Sequence, residues 1–313
     1  MGNAHARHYR NMADVDLTFY DLLPDRSSAF ASRHNCEPCA SAEDLISRCD
    51  VVDVCLPTDA HLEYGLKAIA AGRAVFMEKP ITRTLEEAEK LLQAASKAAV
   101  PLMPGQVVRF FPEYSAARKR VISGAIGKPA AARTRRGGGP PLGGADNWFM
   151  DFARSGGVLV DLAIHDFDWL RWTFGEVKSL YARSVAAATG TGPDYGLATL
   201  TFDSGLIAHV EATWMDPSGF RTAFEVCGSE GMIEFDSRTS PPLRLLQAGK
   251  SAAESPLAPA DDPYYLELRG FLDAVHDGAE PPVSGVDGLL SLGIALAALE
   301  SAKTGNVVAP ARG

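Results

Sequence analysis

The tripeptide Glu78-Lys79-Pro80 closes an apolar run, Ala74-Val75-Phe76-Met77, and precedes a helix-like segment from Thr84. A lysine therefore stands where an α/β cleft would hold its ligand. Far downstream, Asp161 and His165 are four positions apart, a spacing that points both side chains the same way on a helix. A cation, a carboxylate and an imidazole suit proton handling at a carbon that bears a hydroxyl. A neutral imidazole, with an unperturbed pKa of about 6.5, can take the hydroxyl proton. A lysine cation against the same oxygen stabilises developing alkoxide character. Asp161, one helical turn before His165, orients the imidazole or binds a neighbouring hydroxyl, and both roles stay open. Taken singly, Lys79 reads as a solvated loop lysine, His165 as a satisfied interior histidine and Asp161 as a helix cap.

These residues need elements to position them. Up to about residue 104, short apolar runs alternate with amphipathic segments, the signature of βαβ units around a parallel sheet. Strands are expected at Val15–Tyr20, Val51–Leu56, Ala74–Met77 and Pro101–Met103. Helices are expected near Asn3–Met12, Asp25–His34, Ala42–Arg48, His61–Ala71 and Thr84–Ala99, the last with Leu85, Ala88, Leu91, Leu92 and Ala95 on one face. Residues 1–104 thus read as a doubly wound Rossmann domain that binds a dinucleotide, and residues 105–313 as a second α/β domain for substrate and assembly. In that domain a helix is expected over Glu113–Ser123 and another over Asp161–Phe174. The strands Lys178–Ala187, Gly196–Phe202, Leu206–Trp214, Thr222–Cys227 and Met232–Asp236 follow, joined by turn signals such as Asp203-Ser204-Gly205. They predict a large, mostly antiparallel open sheet. Leu246–Pro263 reads as a surface loop, and helices over Tyr264–Asp277 and Ser284–Thr304 close the chain.

A dinucleotide fold opens with a strand, a G-x-G-x-x-G turn and a helix, with an acidic residue about 20 positions on for the adenosine ribose. Here Gly2 stands as the third glycine, and Asp21 falls 19 residues later, at the end of the Val15–Tyr20 segment. The first strand and the two earlier glycines are missing, so Met1 reads as an internal methionine of a longer chain. Asp21 alone would be an ordinary turn former; in register with Gly2 it is expected to hold the ribose hydroxyls. Because a carboxylate repels a 2′-phosphate, NAD is expected over NADP. Cofactor contacts are expected from Gly2, Asp21, Pro57, Glu78 and Lys79.

Composition narrows the class. A net charge of -9 argues against nucleic acid or an anionic membrane as partner. The one basic cluster, Arg133 to Arg136, reads as a solvated strand end. No uninterrupted apolar stretch reaches the roughly 18 residues of a membrane helix and no secretory segment opens the chain, so a cytoplasmic protein is expected. Five cysteines in no framework spacing suit a reducing compartment, and Cys36-Glu37-Pro38-Cys39 is taken as incidental. The other histidines, His5, His8, His34, His61, His209 and His276, are assigned structural roles without metal clustering. Trp148 and Phe149 either cover a substrate or pack between domains.

With these residues assembled, the chain resembles the glucose-fructose oxidoreductase / inositol dehydrogenase family of NAD(P)-dependent sugar and polyol oxidoreductases. The carriers are the stretch Ala71 to Pro80, the stretch Ser155 to Asp168, and Asp287-Gly288-Leu289 with Glu300-Ser301-Ala302. The resemblance implies a Rossmann domain, then an α/β domain whose sheet often mediates homo-oligomers (a dimer or tetramer), with the active site between the domains. It matches Lys79 to the family's active-site lysine, Asp161 to its aspartate and His165 to its catalytic histidine. Asp168 reads equally as a supporting carboxylate or a helix-surface one. Where many members carry Asn before Arg-Phe, this chain has Val107 and Val108 before Arg109, which bears on substrate identity. The expected function is hydride transfer between NAD and a secondary alcohol of a sugar, inositol or related polyol. The alternatives are an NAD-assisted lyase or glycosidase, or a catalytically idle sensor or fragment.

Overall fold

The computed structural model describes residues 1–141, 147–186, 194–239, 243–247, 250–254 and 261–312. The chain forms two compact units, Met1–Val107 with Pro259–Val286, and Val108–Ala258 with Asp287–Gly313.

The first unit begins with helices α1 (Gly2–Tyr9), α2 (Pro24–His34) and α3 (Ala42–Arg48), followed by β1 (Val51–Val54), α4 (His61–Ala70), β2 (Ala74–Met77), α5 (Leu85–Ala98) and β3 (Leu102–Pro104). The strands form a parallel sheet in the order β1-β2-β3, with Val54 opposite Met77 and Met77 opposite Pro104. Every residue of β2 is buried, as an apolar strand covered on both faces requires. Thr84 and Glu87 close a reciprocal capping box that starts α5, which then buries Ala88, Leu91 and Ala95. The expected strand at Val15–Tyr20 is corrected: among the described residues its pairing is a single parallel bridge, Phe19 to Pro38. The neighbouring segment carries a proline there, which has no N–H to extend a ladder.

The second unit holds α6 (Pro112–Ile122), β4 (Pro129–Gly137), α7 (Phe152–Ser155), α8 (Gly157–Asp161), α9 (Ile164–Phe174), β5 (Val177–Val185), β6 (Tyr195–Phe202), β7 (Ile207–Thr213), β8 (Arg221–Gly228), β9 (Met232–Asp236), β10 (Leu243–Gln247) and β11 (Lys250–Glu254). Its main sheet runs β5-β6-β7-β4-β8-β9, antiparallel except for the parallel pair β4–β7. The five strands expected from hairpin spacing are all present. The strand between them, β4, lies inside the sheet although it comes first in the chain. The expected loop over Leu246–Pro263 is corrected in part, because β10 and β11 form an antiparallel hairpin there; residues 248–249 and 255–260 lie outside the described residues.

Two helices complete the chain: α10 (Pro263–Asp277) and α11 (Gly285–Thr304). A division at residue 104 assigns α10 to the second domain, but it belongs to the first unit, where Tyr264 stacks on His8 and Arg269 pairs with Asp14 at 2.8 Å. Such partners, some 250 positions apart, leave no local pattern. α11 is the one described helix long and apolar enough to cross a membrane. Leu292, Ile294, Ala295 and Ala298 within it are buried, as in a core helix.

Candidate active site

In the first unit, the carboxyl ends of the parallel strands carry Cys55-Leu56-Pro57 (β1), Glu78-Lys79 (β2) and Gly105-Gln106 (β3). Lys79 is half-buried, and its bond to Pro80 is cis. Two imidazoles brace this turn. His61, from the start of α4, sets Nδ1 2.9 Å from the Pro80 carbonyl and Nε2 3.0 Å from that of Leu56; burial holds its pKa below the usual histidine value. His5, from α1, lies between two carboxylates, Nδ1 at 2.8 Å from Asp53 and Nε2 at 3.1 Å from Glu78. The first contact is a hydrogen bond. The second is an ion pair in which the N–H does not aim squarely at the oxygen. Tyr9 also donates to Asp53.

Sequence reasoning left His5 as a structural residue, yet it is the hub of this buried cluster. Burial works against its imidazolium, but the Asp53 carboxylate outweighs that and holds its pKa well above the usual value. Burial likewise pushes Asp53 and Glu78 up, and His5 outweighs it, so both carboxyls stay low. Nitrogen, oxygen and sulfur donors of His5, Asp53 and Cys55 lie within 4.8 Å of one another, which corrects the expectation that no histidine clusters with metal-ligand partners. Burial pushes the Cys55 thiol up to about 12, so the thiol keeps its proton and donates it to Asp53 Oδ1 at 3.3 Å. The cluster is a hydrogen-bonded charge network.

Linkage gives this network a pH signature. The raised His5 contributes stability that is full below its unfolded value, about pH 6.5, and lost as pH rises through the folded value. The depressed Asp53 and Glu78 contribute above about pH 4, their unfolded range, and lose it as pH falls through their folded values. The melting-temperature difference between the wild type and His5→Gln is therefore expected to be largest between about pH 4.5 and 6.5 and to narrow on either side. A difference that stays constant from acid to alkaline pH would remove the charge assignment.

Pro57, Glu78 and Lys79 sit at these strand ends, and a β-carbon on Gly2 would stand 3.8 Å from Cβ of Cys55, just beyond β1. Gly2 opens α1, whose first turn has no acidic residue, so its N-terminal dipole is left to attract an anion. Asp21 is half-buried and accepts from the Leu23 N–H at 2.9 Å through Oδ1; it is thus a turn former with a second oxygen to offer. The Thr58 hydroxyl beyond β1 and both amide atoms of Gln106 beyond β3 are buried with no hydrogen-bond partner among the described residues. Buried polar groups rarely stay unsatisfied, and two at the ligand-binding edge of a parallel sheet fit a polar dinucleotide. Glu78 differs from the other candidates, since its oxygens already face His5 and the Lys79 N–H, the latter at 3.0 Å.

In the second unit, Asp161 and His165 are not on one continuous helix, a correction to the expected Asp161–Phe174 element. Asp161 ends α8, and His165 lies in the first turn of α9. Between them the ladder widens, with the Ala163 N–H reaching back to Val158 at 2.9 Å and His165 only to Leu162 at 3.4 Å. The approach to α8 depends on two glycines. Gly156 has φ 78° and a β-carbon there would stand 2.7 Å from Cβ of Val160, while one on Gly196 of β6 would stand 2.5 Å from a Leu159 methyl. Gly156→Ala is expected to cost about 1–3 kcal/mol through overpacking and left-handed strain. A urea midpoint equal to that of the wild type would contradict it.

Asp161 is 7% exposed and His165 half-buried. Flanking them, two fully buried carboxylates hold α9 in place. Asp166 receives Arg136 Nε at 2.7 Å, and the same guanidinium reaches the Tyr114 hydroxyl at 3.2 Å. Asp168 receives two nitrogens of Arg109 at 2.7 Å each and the Ser291 hydroxyl at 2.9 Å. Arg109 also reaches Asp287, which pairs with Arg171 at 2.7 Å. Asp168 is therefore a buried supporting carboxylate. The basic cluster is corrected too: Arg133 is exposed, but Arg136 is buried and paired, because successive residues of a strand face opposite ways. Trp148 and Phe149 stack on each other with ring centroids 4.1 Å apart.

Two family descriptions match this chain: an oxidoreductase family with an NAD-binding Rossmann fold, over residues 1–106, and the GFO/IDH/MocA C-terminal domain, over residues 114–234. The scyllo-inositol 2-dehydrogenase (NAD(+)) of Bacillus subtilis (strain 168) is 31% identical over 82% of this chain and 76% of its own. The inositol 2-dehydrogenase of Rhizobium meliloti (strain 1021) is 30% identical over 96% of this chain and 93% of its own. Among solved structures, a putative myo-inositol dehydrogenase from Sinorhizobium meliloti 1021 superposes with a TM-score of 0.84 at 28% identity, covering 99% of this chain and 96% of the other. With its Rossmann unit followed by a mixed, mostly antiparallel sheet, the chain belongs to the glucose-fructose oxidoreductase / inositol dehydrogenase (GFO/IDH/MocA) family of NAD-dependent oxidoreductases.

Proposed function

We propose that this protein oxidises a secondary alcohol of an inositol, sugar or related polyol, with His165 as acid/base and Lys79 and Asp161 as its partners. When bound, the nicotinamide ring accepts the hydride. The chain's own residues do the rest: His165 takes the hydroxyl proton, Lys79 steadies the oxygen as it becomes alkoxide-like, and Asp161 orients the imidazole or the substrate. The observation that carries the reading is Lys79 itself, at the carboxyl end of β2 on a turn braced from two helices. Gly2, Asp21 and Pro57, with Thr58, would hold the dinucleotide, while Glu78 serves through Lys79. Asp21 favours NAD over NADP, since its carboxylate repels a 2′-phosphate. The inositol dehydrogenases among the relatives support a polyol substrate. A homo-oligomer is proposed on the exposed apolar side chains Leu197, Ile207 and Met232 of the large sheet, and a cytoplasmic location on the cysteine usage.

The test is NADH formation with a panel of inositols and aldoses. Oxidation of at least one polyol, with NAD preferred to NADP by about tenfold or more, is the expected outcome; a tenfold preference is about 1.4 kcal/mol of discrimination at the ribose. A substrate consumed without NADH accumulating would point to the redox-neutral lyase or glycosidase instead.

A further inference from the structure

We infer that His5 is a positioning residue for Lys79, acting from α1 through the carboxylate of Glu78; this rests on the reading of Lys79 as an active-site residue. Glu78 has two oxygens and two tasks. Oε1 faces His5 Nε2 at 3.1 Å, and Oε2 accepts the backbone N–H of Lys79 at 3.0 Å. The group that fixes the Lys79 backbone is thus itself held by a side chain 73 positions earlier. Glu78 is 6% exposed and His5 1%. A carboxylate that deep stays ionised only beside a cation, and its ionised form makes the stronger bond to the Lys79 N–H.

His5 is in turn located by its surroundings. Asp53 takes its Nδ1, Tyr9 of the same helix donates to that Asp53 oxygen at 3.1 Å, and the Phe76 ring meets the imidazole edge-on at 5.5 Å. Nδ1 donates to Asp53, and Nε2 lies 3.1 Å from Glu78 Oε1 as an ion pair, so the imidazolium places its charge between the two carboxylates. One residue after Lys79, His61 holds the Pro80 carbonyl. The turn that carries Lys79 is thereby contacted from both α1 and α4. Removing His5 leaves the Glu78 carboxyl to take up a proton or turn away, and the Lys79 backbone loses its charged acceptor.

The experiment compares the wild type with His5→Gln, Glu78→Gln and the double variant, which replaces an ion pair by a neutral pair of similar shape and so keeps the question open should either single variant fail to fold. Two readouts are taken: kcat with a polyol, and the rate at which an amine-reactive acylating reagent modifies Lys79, quantified on its peptide by mass spectrometry. Each single variant is expected to lower kcat about 10–100-fold, the scale of a small misplacement of a catalytic group. The double variant should be no worse than the poorer single one, because both changes break one path. The Lys79 acylation rate should change about threefold or more in every folded variant. Ile46→Ala, which opens a cavity under α3, should lower stability and leave that rate unchanged. Multiplicative kcat effects, or an unchanged acylation rate in the folded variants, would overturn the inference. If the wild type oxidises no polyol, the dehydrogenase reading fails and the acylation rates alone decide the role of His5.

Discussion

His165→Ala is expected to lower kcat by about 10²–10⁴, the usual scale for losing general acid–base help, without unfolding the protein. The residue is half-buried in the first turn of α9, and the helix around it is anchored by Asp166 on Arg136 and Asp168 on Arg109, both untouched by the change. Lys79→Ala should act on the same scale, since it removes the cation that steadies the developing negative oxygen. NAD affinity, measured by calorimetry, should change little for His165→Ala, because none of the proposed dinucleotide contacts belongs to the second unit. The two losses should combine to less than their product, as expected of groups that act together in one step. Turnover near that of the wild type in both variants would remove the proposed chemistry while leaving the family and the fold as they stand.

Arg109→Met is expected to be the most destabilising single change, by about 3–5 kcal/mol, because it strands the fully buried Asp168 without its cation. The pair is bidentate at 2.7 Å, and neither side chain is more than 4% exposed, so solvent screening does little to soften the loss. Ser291 still donates to Asp168, but one hydroxyl offsets only about 1 kcal/mol of it. Asp287 would keep Arg171 as a partner. Arg109→Met combined with Asp168→Leu removes both charges and is expected to recover most of the stability, since apolar side chains of similar volume often replace a buried ion pair at little cost. Urea unfolding of the two variants checks this, and a double variant as unstable as Arg109→Met would show that the network, rather than the stranded charge, carries the energy.

The elements that periodicity governs were legible in the chain. The helices over Pro24–His34, Ala42–Arg48 and Leu85–Ala98, and the strands β5 to β9, lie within a few residues of their expected limits, because amphipathic spacing and turn residues are local properties. Lys79 was legible for a related reason: a strand end before a helix is a local pattern, and the Glu78-Lys79-Pro80 turn sits there. Pattern misled where a neighbour decides. Val15–Tyr20 alternates as a strand should but finds a single bridge at Pro38, since a strand exists only with a partner. Asp161 and His165 keep helical spacing, yet the helix breaks between them.

The sequence by itself determined the two-part α/β organisation, the family and the set of candidate catalytic residues, because each of these is written in short contiguous stretches. Only the tertiary structure decided what surrounds those residues. His5 lies 48 positions from Asp53, and Arg109 lies 59 from Asp168 and 178 from Asp287. Charges buried this deeply must find opposite charges, but that requirement does not say which ones. The choice follows from how strands and helices far apart in the chain pack together, and no periodicity records it.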